Sequence, residues 1–241
     1  MFKIRKVTAT YRKSVNICTR FLVFLAVVLL GVLLGYVSEW LEYGIYYSTH
    51  STLNYHNDIL IGLGFILNHF SIWIFCATMI SYFSWGPNSA GIHTFSFLLA
   101  MCVAYFIPKH MHYGYAVDTQ LLIWGAVAFL SIGAAVLIWF AKNGGLYGVI
   151  IKSLPIAGIL TESIVIVFNQ LKSYHPIPGA PAQPLQWLLQ TKLTLLLAVH
   201  VAFIIVLIFS LSKSLLERLR IILFALTTAA MLSILFILLF Q

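Results

Sequence analysis

An all-α, polytopic helical membrane protein is the fold class this sequence predicts. Three observations predict it: the apolar content, a series of long apolar runs, and a lopsided placement of positive charge. Of the 241 residues, 61% are apolar and 8% are charged, whereas a soluble domain carries about 25% charged residues. Mean hydropathy is +0.99. With 14 Lys and Arg and 6 Asp and Glu, most of the outer surface has to face something other than water. The apolar content excludes intrinsic disorder, and 3 cysteines are too few for a disulfide scaffold. Cys18, Cys76 and Cys102 lie in or beside apolar runs and read as reduced packing residues.

A membrane-crossing helix needs about 20 mostly apolar residues to cover a core of roughly 30 Å. Runs at 21–41, 59–82, 91–107, 119–141, 148–171, 191–212 and 221–240 meet that need, which predicts about seven spans, or six if a weak run is discounted. The first follows a basic segment, residues 1–20, with Lys3, Arg5, Lys6, Arg12, Lys13 and Arg20. Its apolar stretch outruns the about 7–15 residues of a cleavable signal core and has no small-residue cleavage site, so it reads as a retained helix. The second run carries Asn68 and His69 near its middle. The third is the shortest and stops before Pro108. The fourth is uninterrupted, and Gly144, Gly145 and Gly148 after it suit a tight turn with close helix approach. The fifth contains Lys152, Pro155, Gly158 and Glu162, the sixth His200, and the seventh runs unbroken to Phe240.

Lys and Arg are retained on the cytoplasmic side. With the N-terminus inside, eleven of them fall inside, among them Lys142, Lys152, Lys213, Arg218 and Arg220. Lys109, Lys172 and Lys192 alone remain outside, together with Glu39, Glu42, Asp58 and Asp118. The expected organisation is thus a basic cytoplasmic segment, 1–20, followed by one transmembrane helical domain, 21–241, with the C-terminus outside. The formal charge of +8 becomes a topology signal matched to anionic inner-leaflet lipid, and nucleic-acid binding is not needed to explain it. The outer loops at 42–58 and 172–190 are rich in Tyr and in Pro respectively, and read as interfacial connectors.

Polar side chains in hydrocarbon are costly, so each needs an interior position and a partner. Glu162 is the only acidic residue in the middle of any span, flanked by Thr161 and Ser163. Pro155 and Gly158 lie one to two turns before it, where they disturb straight helix and admit a neighbour. Counted at 1.5 Å per residue, Asn68, His69, Glu162 and His200 occupy a similar depth. These four with Thr161 form the expected substrate-binding set. His110 and His112 make a His-x-His pair, but no ligand framework surrounds them, so no metal site is expected. No nucleophile elbow, paired aspartates or nucleotide motif is present; no catalytic residue and no cofactor is expected.

The segment 62–169 resembles an uncharacterised family of bacterial multi-span membrane proteins. The resemblance rests on Asn68-His69-Phe70-Ser71-Ile72-Trp73, on Tyr105, and on Gly144-Gly145-Leu146-Tyr147-Gly148 followed by Pro155 and Glu162. It implies a helical membrane domain and carries no activity or site residue with it.

The expected function is that of a small-solute transporter or a membrane-embedded substrate-binding subunit of the cell membrane, with a polar site near the midplane. The alternative is a non-catalytic accessory protein that docks a membrane or cytoplasmic protein, or anionic lipid, through its basic inner face. Expected partners are the lipid bilayer, a small-molecule solute and, in the alternative reading, that protein partner.

Overall fold

The structure is a computed structural model, and it describes residues 16–48, 63–64, 66–67, 69–113, 118–173 and 184–240. Residues 1–15, with most of the basic N-terminal segment, and the greater part of both outer loops lie outside these. The α-helices are α1 (Ile17–Ser48), α2 (Phe70–Phe83), α3 (Pro87–Tyr113), α4 (Asp118–Phe140), α5 (Gly145–Ser173), α6 (Pro184–Leu211) and α7 (Leu215–Phe240). One turn of 3-10 helix, Ala141–Asn143, joins α4 to α5. No strand occurs among the described residues.

All the helices but α2 are long and apolar enough to cross a membrane. Their outward faces carry large apolar side chains that water would not tolerate in such number, such as Leu122, Phe129, Leu130, Met231 and Leu238. This is a multi-pass membrane protein in contact with lipid. Two expectations about the spans need correcting. The run at 59–82 is not one helix: residue 69 is a bend, helical residues 63–64 and 66–67 precede it, and α2 has only 14 residues, about 21 Å at 1.5 Å each. The third span does not stop before Pro108; α3 carries Pro108 inside it and continues to Tyr113. A proline removes one amide donor and crowds the preceding turn, and here the helix accommodates it.

The chain divides into two compact units, Met1–Glu39 with Ala77–Gly148, and Trp40–Cys76 with Val149–Gln241. In the first unit, packing rests on glycine. Gly31 and Gly35 lie one turn apart on α1, and a Cβ on either would strike the carbonyl oxygen of Phe97 or of Met101 on α3. This is the small-xxx-small device by which membrane helices approach closely without a hydrophobic drive between them. Because the rising numbers 31 and 35 pair with the rising numbers 97 and 101, α1 and α3 run parallel. Gly91 of α3 plays the same part against Ile132 of α4. Gly144 and Gly145 both have φ of +77°, a left-handed backbone that side chains resist, and they make the expected tight turn into α5.

In the second unit, α2 lies between α5 and α6. Ile74 packs against Gly158 of α5, and Phe75 stacks on Phe203 of α6 with ring centroids 4.4 Å apart. Lys152 on α5 is fully buried, and its Nζ donates to Glu217 Oε1 of α7 at 2.6 Å. Glu217 Oε2 in turn accepts from the Lys213 backbone N–H at 2.8 Å. A buried charge without such a partner costs several kcal/mol, so this pair fixes α7 against α5.

Candidate functional site

The second unit also gathers an ionisable cluster, built around the bend at His69. In an unbroken helix the Phe70 amide would donate to the Ile66 carbonyl. That carbonyl is instead taken by the His69 N–H at 3.2 Å, and the Phe70 N–H donates to Glu162 Oε1 at 2.9 Å. Just before the bend, the Leu67 carbonyl accepts from Trp73 Nε1–H at 3.2 Å. Irregular backbone at membrane depth persists only where protein satisfies it. Here a carboxylate from α5 and an indole from α2 itself do so. The carboxylate also sits at the N-terminus of α2, where the partial positive charge of the aligned amides favours an anion.

Glu162 Oε1 accepts a second hydrogen bond, from His69 Nδ1–H at 3.0 Å. Its other oxygen, Oε2, is buried, and among the described residues no group hydrogen-bonds to it. His200 Nε2 lies 4.0 Å from it. The two imidazoles lie edge to face with centroids 6.5 Å apart. Side-chain exposure is 21% for His69, 14% for Glu162 and 2% for His200, so the cluster opens on the His69 side and closes on the His200 side.

His200 is held by two hydroxyls. Ser163 O–H donates to the Ile159 carbonyl one turn back at 2.9 Å, which leaves its oxygen to accept from His200 Nδ1–H at 2.6 Å. In that tautomer His200 Nε2 accepts from Ser71 O–H at 2.5 Å. Ser71 and His69 lie on either side of Phe70 at the start of α2, while Ser163 adjoins Glu162. Two adjacent positions on α5 thus serve the two histidines.

The structure brings together His69, Glu162 and His200 of the residues expected to form the site. Thr161 is placed beside them in sequence, but its hydroxyl donates to the Ala157 carbonyl of its own helix at 2.8 Å. Asn68 lies outside the described residues. Ser71 and Ser163 were not among the expected site residues. Serines in apolar helices commonly bond back to their own helix, so nothing but their nearness to His69 and Glu162 marks them.

Glu39, placed outside by the charge pattern, is buried on α1 at 2% exposed. His110 is exposed on α3, while the side chain of His112 lies outside what is described. Among the described residues, no group of three or more His, Cys, Asp or Glu is arranged to hold a metal ion. No family model matches this chain, and no curated protein or solved structure is significantly similar to it.

Proposed function

We propose that the protein is a small-solute transporter, or a membrane-embedded substrate-binding subunit, whose polar site is the cluster of His69, Glu162 and His200. One observation carries this reading: a buried carboxylate joins three helices at a point where one of them is broken. A carboxylate and two imidazoles at such depth are costly to keep for packing alone. A broken helix whose amide end faces an anionic group is also the arrangement around which transporters build their substrate and ion sites. Because the Phe70 N–H at the start of α2 donates to Glu162, a group that competes for the carboxylate would loosen α2 at its joint. Solute occupancy and helix movement are linked through that one hydrogen bond.

The test is a thermal-shift screen of small polar and charged solutes on the purified protein. A solute that binds only the folded state raises stability by about 2.7 kcal/mol at a concentration 100 times its Kd, or about 5–10 °C for a chain of this size. Such a shift should appear in the wild type, vanish in His69→Ala and His200→Ala, and survive in Arg220→Gln on the basic inner face. No shift with any solute class, together with salt-sensitive loss of a co-purifying protein in Arg220→Gln, would favour the accessory reading instead.

A further inference from the structure

We propose that the same cluster is a proton-exchange centre, in which one proton passes between His200 Nε2 and Glu162 Oε2. The inference deepens the transport reading and rests on it, by naming the proton as the coupling ion.

Three features point to a proton rather than a metal or an alkali cation. The first is the unmatched oxygen. Glu162 Oε1 is saturated by the Phe70 and His69 N–H groups, while Oε2 is buried and faces His200 Nε2 across 4.0 Å. That gap is about 1 Å too long for a hydrogen bond, and a small torsion of either side chain closes it. The second is the nature of the groups around His200. A hydroxyl both donates and accepts, so the ring keeps its two partners in either protonation state. In the neutral ring Nε2 accepts from Ser71 O–H. In the imidazolium, Nε2–H donates to Ser71 Oγ or swings to Glu162 Oε2, while Nδ1–H continues to donate to Ser163. An imidazole meant to stay neutral would be better held by a fixed donor, and one meant to stay charged by a fixed acceptor. The third is the lack of a ligand cage: both ring nitrogens of His200 are engaged by serines, and the described residues offer no metal-holding group.

The transfer balances simply. The Nε2–H bond of the imidazolium breaks and its electron pair stays on nitrogen. A lone pair of Oε2 forms the new O–H bond, and the imidazolium–carboxylate pair becomes a neutral imidazole and a carboxylic acid. The protonated Oε2 then has its own donor. His69 Nδ1–H stays on the other oxygen throughout. The other charged pair described in this unit, Lys152 with Glu217, begins ten residues away along α5, about 15 Å, and is closed on itself. From α2 and α5, Ser71, Ser163 and the Phe70 amide hydrogen-bond to the cluster among the described residues.

The experiment is a pH titration of the whole protein in lipid nanodiscs, labelled with 13C at glutamate carboxyls and 15N at histidine rings. The chain has four glutamates, Glu39, Glu42, Glu162 and Glu217, so the carboxyl spectrum is sparse. The expected result is one carboxyl signal and one pair of ring signals that titrate together between pH 4.5 and pH 9, on the order of the range in which imidazoles and buried carboxyls exchange protons. Glu162→Gln should remove the carboxyl step and turn the coupled histidine step into a simple one. If that variant does not fold, Glu162→Asp keeps a carboxyl and identifies the signal by its displacement. Ser71→Ala with Ser163→Ala should shift the His200 midpoint while leaving a Glu162 step in place. A Glu162 signal that stays constant over the whole range, with histidines that titrate independently, would overturn the proposal. A solute-dependent thermal shift in that event would leave the transport reading standing without a proton, whereas coupled titration with no solute shift would leave proton exchange standing and remove the solute.

Discussion

The two compact units bury polar groups in opposite ways. In the first, hydroxyls and carbonyls pair in the interior, Ser81 with Thr94 at 2.8 Å, Ser131 with the Ala128 carbonyl at 2.6 Å, and the Ser84 carbonyl with Trp139 Nε1 and Lys142 Nζ at 3.0 and 2.9 Å, beside the buried Glu39 and His93. Close contact comes from Gly31, Gly35 and Gly91. The groove along α1 and α3, lined by Phe24, Val28, Tyr36, Leu99, Val103 and Ile107, is apolar, a surface suited to lipid. In the second unit the interior holds two ionic assemblies, Lys152 with Glu217 and Glu162 with His69 and His200. Charge inside a membrane protein carries a cost that glycine packing does not. The contrast sets a unit packed through glycine, here called the scaffold unit, beside one that holds two ionic assemblies.

The largest effect expected from breaking this contrast is at Lys152. Lys152→Met should strip Glu217 of its charged partner and destabilise the protein by about 3–5 kcal/mol, as loss of one member of a buried pair does. Adding Glu217→Gln should recover most of that loss, because the penalty is the orphaned charge rather than the missing attraction. Thermal unfolding of the two variants in one detergent decides it. A double variant no more stable than Lys152→Met would mean that the pair itself, and not the orphaned charge, holds α7.

In the first unit the corresponding experiment adds volume. Gly35→Val places a branched side chain against the Met101 carbonyl, and overpacking of this sort costs about 1–3 kcal/mol. The same change at Gly125 on α4, where a Cβ would meet nothing, should be close to neutral. Equal destabilisation at the two positions, measured by thermal unfolding, would remove the argument for close approach of α1 and α3.

These two variants also mark where the sequence was legible and where it was not. Apolar runs and charge placement predicted a helical membrane protein and six of its long helices, because hydrocarbon forces backbone groups into helices and sorts Lys and Arg by side. Glu162, His69 and His200 stood out for the same reason, since ionisable groups in apolar runs are conspicuous. Their convergence was not legible: position along a helix fixes depth, but not which partner a side chain meets. The break at His69 left even less trace. No Gly or Pro interrupts 65–83, and the acceptor that meets the Phe70 N–H at the joint, Glu162, lies more than ninety residues on. Gly31 and Gly35 have the spacing of a small-xxx-small contact, but nothing in that spacing says which helix they meet.

The smallest effect concerns the lysine of the first unit, which differs from Lys152 in what surrounds it. Lys142, in the turn between α4 and α5, donates to the Ser84 carbonyl and lies over the rings of Tyr82 and Trp139 at 5.4 and 5.3 Å. Burial disfavours its ammonium and pushes its pKa down to about 8, from the ordinary 10.5. Below pH 8 the lysine is charged both folded and unfolded, so the folded state bears the full burial penalty. Between pH 8 and 10.5 the unfolded chain binds more protons than the folded one, so stability contributed by this group rises with pH and levels off above 10.5. Wild-type protein should therefore gain thermal stability from pH 8 to pH 10 relative to Lys142→Met, which has no proton to lose there. An amine-acylating reagent at pH 8.5 should modify Lys142 ahead of the enclosed Lys152, as read by peptide mass spectrometry. Parallel stability curves for wild type and Lys142→Met over that range would show that Lys142 keeps its ordinary pKa. The carbonyl and the two rings would then be sufficient to hold a full positive charge in the scaffold unit.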